Sequence, residues 1–236
     1  MAFSGMVLAH AVVETLRISV PTVFETVIGS PENAVHDARL ASWSKRLLAR
    51  VDVQLDVRGL EHAAADQAYV IMTNHESVYD IPIVYQAIPK PLRMIAKAEL
   101  FRIPVWGRAM RTSRFVPIDR GDRARAIQSL EEAKRTLADG ISIWIAPEGT
   151  RSRTGEMLPF KAGGFHLAID TGAKILPVSI AGSRHILEAD RYGVQRGVRV
   201  RVTVSPPVDA SEYDRDRRVE LSDRVRDAIA RHREQD

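Results

Sequence analysis

The chain has 236 residues, 45% of them hydrophobic and 27% charged, which is enough for one sizeable α/β domain with or without a small appendage and too apolar for a disordered chain. It contains no cysteine, which excludes a disulfide framework, a thiolate nucleophile and a zinc–thiolate site. The formal net charge of +4 suits an anionic partner: a phosphate-bearing substrate, an anionic membrane surface or nucleic acid.

Residues Phe3 to Ile28 are expected to form a strongly apolar helix, in which His10, Glu14, Arg17 and Glu25 fall on one stripe. A spanning helix needs about 20 predominantly apolar residues, whereas the longest stretch free of formal charge runs from Met1 to Val13, so spanning is disfavoured. A basic leader region and a small-residue cleavage site are both missing, so a signal peptide fits poorly. Gly29-Ser30-Pro31 breaks the pattern, and His36 to Arg50 forms a second helix with Leu40, Trp43, Leu47 and Leu48 on one face and Arg39, Lys45, Arg46 and Arg50 around them. An apolar helix followed by one with tryptophan and basic flanks describes an element lying in a membrane interface. The alternative is a helical pair packed on the domain's own core. On the first reading, residues 1–50 are an amphipathic two-helix membrane-association element and residues 51–236 an α/β domain.

From Val51 the pattern alternates, with Val51, Val53, Leu55 and Val57 against polar neighbours, as in a half-buried strand. Further strands are expected at Ala68–Thr73, Leu92–Ala96, Phe115–Ile118, Ile141–Ala146, Ile175–Ile180 and Val198–Val204. Helices are expected at Ile83–Ala87, Arg123–Ala138, Phe165–Asp170 and Glu212–Arg233. This alternation specifies an α/β fold: a mostly parallel central sheet with helices on both faces, preceded by the N-terminal two-helix element. The last helix is densely charged with a narrow apolar stripe at Leu221, Val225 and Ile229, as expected of a helix capping the core.

The chemistry sits at strand ends. Asn74-His75-Glu76-Ser77-Val78-Tyr79-Asp80 follows a buried-looking strand, and Asp80 with Pro82 opens a helix, with Asp80 as its cap. An aspartate there can fold back on His75, fix its tautomer and stabilise its protonated form. The bland alternative is a capping aspartate beside an unrelated loop histidine. A second motif, Ala146-Pro147-Glu148-Gly149-Thr150-Arg151, leaves the strand Ile141–Ala146. In a parallel sheet the carboxyl ends share one edge, so the two turns can meet in one crevice. Glu148 offers a carboxylate for hydroxyls, Arg151 a guanidinium for phosphate, and Gly149 close backbone approach. Lys97 and Arg120 stand at two further strand ends, in Ala96-Lys97-Ala98-Glu99-Leu100 and Phe115-Val116-Pro117-Ile118-Asp119-Arg120. From Arg93 to Arg125 there are nine basic and three acidic residues, so the positive charge is concentrated there. Most of these are expected on a solvated face, with Lys97 and Arg120 forming a phosphate clamp. The stretch lacks the interleaved aromatics of single-strand nucleic-acid binders, so no nucleic-acid partner is expected. Walker A, Gly-x-Gly-x-x-Gly and Gly-x-Ser-x-Gly motifs are absent. Position 79 is tyrosine, so His75-Glu76 is not the start of a zinc-protease motif, and no metal site is expected.

The ordered set NHESVYD, AKAEL, FVPIDR, APEGTR, FKAGGF and LPVSI resembles the glycerophospholipid acyltransferase family, in particular its bacterial 1-acyl-glycerol-3-phosphate acyltransferases, over roughly Val51 to Gly182. The resemblance implies that His75 is the general base for a lysophospholipid hydroxyl and Asp80 its orienting carboxylate. It also implies that Lys97, Arg120 and Arg151 bind the glycerol phosphate while Glu148, Gly149 and Thr150 shape the acceptor site. The implied reaction moves a fatty acyl group from acyl-CoA or acyl-carrier protein, as co-substrate rather than cofactor, to the sn-2 hydroxyl of 1-acyl-glycerol-3-phosphate. The product is phosphatidic acid, for phospholipid biosynthesis, on the cytoplasmic face of the inner membrane. An acyltransferase for another lyso-lipid, such as a lyso-ornithine lipid, or a non-catalytic membrane-binding module would be the alternatives. Glu76 stands where many members have glutamine, and Ala146 where phenylalanine is usual. Direct attack by a bound alcohol needs only a base, an oriented acceptor and oxyanion donors. Backbone amides near His75 are the expected donors.

Overall fold

The computed structural model of the protein describes residues 2–29, 32–119, 121–188 and 193–233. Two helices come first, α1 (Ala2–Ile28) and α2 (Asn33–Arg50). Then follow β1 (Gln54–Arg58), β2 (Val70–Thr73), α3 (Asp80–Ala87), β3 (Leu92–Lys97), α4 (Trp106–Thr112), β4 (Val116–Ile118) and α5 (Arg123–Ala138). The chain continues through β5 (Ser142–Ile145), α6 (Gly163–Thr171), β6 (Ile175–Ala181), β7 (Arg199–Val204) and α7 (Arg218–Ala230). Ser30, Pro31 and Arg120, all singled out in the sequence, lie outside the described residues.

The strands form one seven-stranded sheet in the order β1-β7-β6-β2-β5-β3-β4. β6, β2, β5, β3 and β4 run parallel, β7 is antiparallel to β6, and β1 pairs parallel with β7. Side-chain alternation sorts the core into two layers. Ile71 and Trp144 point to the face covered by Leu40 and Leu48 of α2, Ile83 and Val84 of α3, and Met110 of α4. Val70, Met72 and Ile143 point to the other, under Leu137 of α5, Phe165 and Leu167 of α6, and Leu221, Val225 and Ile229 of α7. Burial on both faces is why the central strands read as unbroken apolar runs; each fully buried Ile or Val contributes about 1.5–3 kcal/mol.

β1 starts three residues later than the alternation suggests, because Val51-Asp52-Val53 closes α2, with Asp52 in the left-handed region at φ 53°. Helix α4 was not expected from sequence. It is short and carries Gly107, normally a poor helix former. Gly107 is required there, since a Cβ would lie 2.3 Å from the carbonyl oxygen of Phe101.

The N-terminal helices are zipped together by polar contacts. Arg39 donates to both oxygens of Glu25 at 2.6 and 2.7 Å, Trp43 Nε1 donates to Thr15 Oγ1 at 3.2 Å, and Arg46 pairs with Glu14. The charged stripe of α1 therefore largely faces α2. Ser4–Thr26 is long and apolar enough to cross a membrane by length and composition alone, which departs from the expectation based on charge-free length. The outward face carries Met6, Leu8, Val12, Val13, Leu16, Val20 and Phe24, each 43–68% exposed. One side of the pair packs on the core, and one side of α1 is apolar and open.

Candidate active site

The crossing of a buried strand into a fixed turn begins at Asn74. Its side-chain amide donates to Ile180 O and its carbonyl accepts from Ile180 N, both at 2.8 Å. An asparagine side chain imitates a peptide group, so pairing of β2 with β6 extends one residue beyond the strand. His75 is thereby the first residue free of the sheet.

Asp80 folds back as expected, and one oxygen does all the work. Its Oδ2 accepts from His75 Nδ1 at 2.7 Å, Glu76 N at 2.8 Å and Ser77 N at 2.9 Å. These amides lie four and three residues earlier, so Asp80 closes the preceding turn instead of capping α3. Tyr79 occupies the N-cap position and makes no side-chain cap bond. The Asp80 side chain is wholly buried and that of His75 is 19% exposed. With Nδ1–H donated to a carboxylate, the lone pair of a neutral imidazole is on Nε2.

The second motif holds the same residue from the other side. Glu148 Oε1 accepts from His75 N at 2.8 Å, and Ser152 N donates to His75 O at 2.7 Å. The other Glu148 oxygen accepts from Leu158 N at 2.7 Å. Both oxygens of this buried carboxylate are engaged by backbone amides, which makes Glu148 a brace between two loops, not an open ligand for hydroxyls. Burial raises its pKa, and the two amides oppose that rise. Gly149 turns the loop at φ 77°, Thr150 is exposed and Arg151 half-buried.

These contacts overturn one expectation. The amides of His75, Glu76 and Ser77 all point at carboxylates, so they are not available to an oxyanion. The physical reason is that three buried carboxylates, Glu76, Asp80 and Glu148, crowd this turn, and backbone N–H groups are the donors that satisfy Asp80 and Glu148. Glu76 is less well served. Its nearest partners are Asn74 Nδ2 at 3.5 Å and Arg233 Nε at 3.7 Å. Burial, with Asp80 nearby, pushes its carboxyl up to about 7.

The sheet order places the basic residues. β2, β5, β3 and β4 are consecutive parallel neighbours, so His75, the Glu148–Arg151 loop, Lys97 and Asp119 all leave one edge. With strands about 4.8 Å apart, the ends of β2 and β3 lie about 10 Å apart. Lys97 is exposed at the end of β3. Among the described residues, neither Lys97 nor Arg151 has a hydrogen-bond or ion-pair partner in its side chain. Among the same residues no group of three or more His, Asp or Glu side chains is arranged to hold a metal ion. Asn74, Ser152 and Arg233 were missed from sequence. Asn74 directly after a strand was a usable signal, whereas nothing local marks the other two.

Three comparisons with known proteins bear on this geometry. The family model described as Acyltransferase matches residues 54–181. The 1-acyl-sn-glycerol-3-phosphate acyltransferase of Salmonella typhimurium is 32% identical over 194 residues, covering 82% of this chain and 78% of that protein. The 1-acyl-sn-glycerol-3-phosphate acyltransferase alpha of Mus musculus is 32% identical over 178 residues, and the match spans 75% of this chain but only 62% of the mouse protein. Among solved structures, the 1-acyl-sn-glycerophosphate (LPA) acyltransferase PlsC from Thermotoga maritima matches with a TM-score of 0.74 at 26% identity, over 94% of this chain and 93% of that one.

Proposed function

The chain belongs to the acyltransferase family, and from that premise we propose that it transfers a fatty acyl group from a thioester to the sn-2 hydroxyl of 1-acyl-glycerol-3-phosphate, forming phosphatidic acid. The observation that carries the reading is the His75 Nδ1 to Asp80 Oδ2 bond of 2.7 Å, at the sheet edge where Lys97 and Arg151 have no partner among the described residues. In this scheme Nε2 of His75 takes the proton as the acceptor oxygen attacks the thioester carbonyl. The buried Asp80 carboxylate stabilises the imidazolium that forms. The tetrahedral intermediate collapses, the C–S bond breaks, and the thiolate takes the proton back from His75. General-base assistance accounts for roughly 10²–10⁴-fold. The remainder comes from holding the acceptor phosphate on Lys97, Arg151 and Arg120 and from oxyanion donors other than the amides of residues 75–77.

The donor is acyl-CoA or acyl-carrier protein, with no further cofactor. The open apolar face of α1 lies on the cytoplasmic face of the inner membrane, where the lysolipid acceptor resides. Support for membrane contact is the run of seven large exposed apolar side chains on one face of a helix whose two acidic residues pair with α2. His75→Ala tests the reading: transfer should be abolished while the thermal midpoint and vesicle binding stay those of the parent. Near-full activity in that variant would refute it.

A further inference from the structure

Between the end of β3 and α4 the chain makes a turn that carries apolar side chains outward under backbone strain. Val105 has φ 63° and ψ −59°, and Trp106 N donates to Pro104 O at 2.7 Å, closing a γ-turn around a β-branched residue. Such a conformation is rare and strained and persists only where the surroundings enforce it. They do so here. Phe101, before the turn, is buried, and Gly107, after it, packs α4 against the Phe101 backbone so closely that no Cβ would fit. Ile103 is left 42% exposed and Val105 37% exposed, with Pro104 also exposed between them.

The surroundings of this tip define what it meets. Arg102, Arg108 and Arg111 are exposed around it, with Arg111 held over the Phe101 ring at 5.2 Å. Helix α4 packs on α1, whose outer face is the run of exposed apolar residues described above. An apolar tip ringed by arginines and adjoining an apolar helix face has the composition of a surface that inserts shallowly into anionic lipid. We propose that the Ile103-Pro104-Val105 tip is a second membrane contact, inserting beside α1 while Arg108 and Arg111 engage the headgroups of an anionic bilayer. This rests on the reading that α1 lies on a membrane. The tip follows Lys97 by only a short helical turn, Ala98–Arg102. Two contacts, one on α1 and one beyond β3, would set the sheet edge bearing His75 towards the bilayer, so the acceptor need not leave the interface to reach Lys97.

The test uses the full chain with phosphatidylcholine vesicles, with and without phosphatidylglycerol. Val105→Gly removes the steric penalty of positive φ and should keep or raise the thermal midpoint while weakening vesicle binding. Ile103→Ser should weaken binding to both vesicle types by about fivefold or more. Arg108→Gln with Arg111→Gln should weaken binding only when phosphatidylglycerol is present, by about fivefold per arginine. Turnover of a soluble short-chain acceptor should be unchanged in all of them. If the parent binds vesicles and Val105→Gly and Ile103→Ser bind equally well, the tip is no membrane contact while the α1 reading stands. Absence of vesicle binding by the parent overturns both. Arginine variants that bind vesicles normally but lose turnover only with acyl-carrier-protein donors would assign the patch to an acidic protein and overturn the proposal.

Discussion

Replacing Asp80 by asparagine separates orientation from charge at His75, the proposed base. All three N–H donors converge on Oδ2, while Oδ1 is buried without a partner. An asparagine that keeps its oxygen at the Oδ2 position retains the Nδ1–H tautomer and both amide bonds. Its NH₂ then takes the Oδ1 position, where unsatisfied burial costs about 1–3 kcal/mol of stability. What is lost is the anion facing the imidazolium. The lower bound is the difference between a charged and a neutral hydrogen bond, about 1 kcal/mol. The upper is a charge pair about 4 Å apart at an effective dielectric constant near 20, about 4 kcal/mol. Since a tenfold change in rate is about 1.36 kcal/mol, kcat should fall about 5-fold to 10³-fold, with the acceptor KM nearly unchanged. Initial rates would be measured in detergent well below the melting temperature of the variant, alongside a circular-dichroism melt. A kcat within about threefold of the parent, in a folded variant, would show that the charge of Asp80 does not support the base and would sink the argument.

Three further outcomes follow from the site. Glu148→Gln keeps one acceptor oxygen but turns an NH₂ towards either His75 N–H or Leu158 N–H; the melt should drop by about 2–10 °C and kcat should fall with it, whereas an unchanged melt would contradict the bracing role. For Glu76, whose carboxyl is raised to about 7 from an ordinary 4.5, the folded state holds a proton that the unfolded chain has released between those values. The associated stability, on the order of 3 kcal/mol, is complete below pH 4.5 and is lost as pH rises through 7, so Glu76→Gln should gain stability relative to the parent between pH 5 and pH 8 in denaturant titrations; a constant difference would count against it. Lys97→Ala and Arg151→Ala should each raise the acceptor KM about 10-fold to 100-fold with little change in kcat, and equal losses with a phosphate-free acceptor would remove the clamp.

Much of this site was legible because its residues sit where topology gives them meaning. His75 and Glu148 each follow an apolar run, and parallel strands place their carboxyl ends on one edge, so two segments distant in sequence could be brought together on paper. The six strands expected after β1 are all present. What sequence could not show was the destination of each hydrogen bond. A carboxylate in a motif reads as a ligand for substrate, yet both oxygens of Glu148 hold backbone amides. Likewise amides beside a catalytic histidine read as oxyanion donors until Asp80 and Glu148 are seen to occupy them. Gly107 argued against a helix locally, and only the approach of Phe101 explains why it is there. Arg233 reaches Glu76 through the docking of the C-terminal helix, a contact with no local signature.

The strand order also sets when during synthesis His75 can take its place. None of β1, β2 and β3 pairs with another of the three: β1 waits for β7, β2 for β5 and β6, and β3 for β4 and β5. A ribosome-bound chain that has not yet released Ser142–Ile145 therefore holds β2 as an unpaired apolar strand, with nothing to brace His75. The apolar face of α1, by contrast, emerges ahead of all seven strands and needs no sheet to exist. The nascent protein thus presents its apolar helix before the His75 turn, and β5, entering between β2 and β3, is the step at which the two early strands become one surface. Strand pairings this distant in sequence slow folding, so variants that delay β5 should leave more insoluble chain than their effect on the finished protein would suggest.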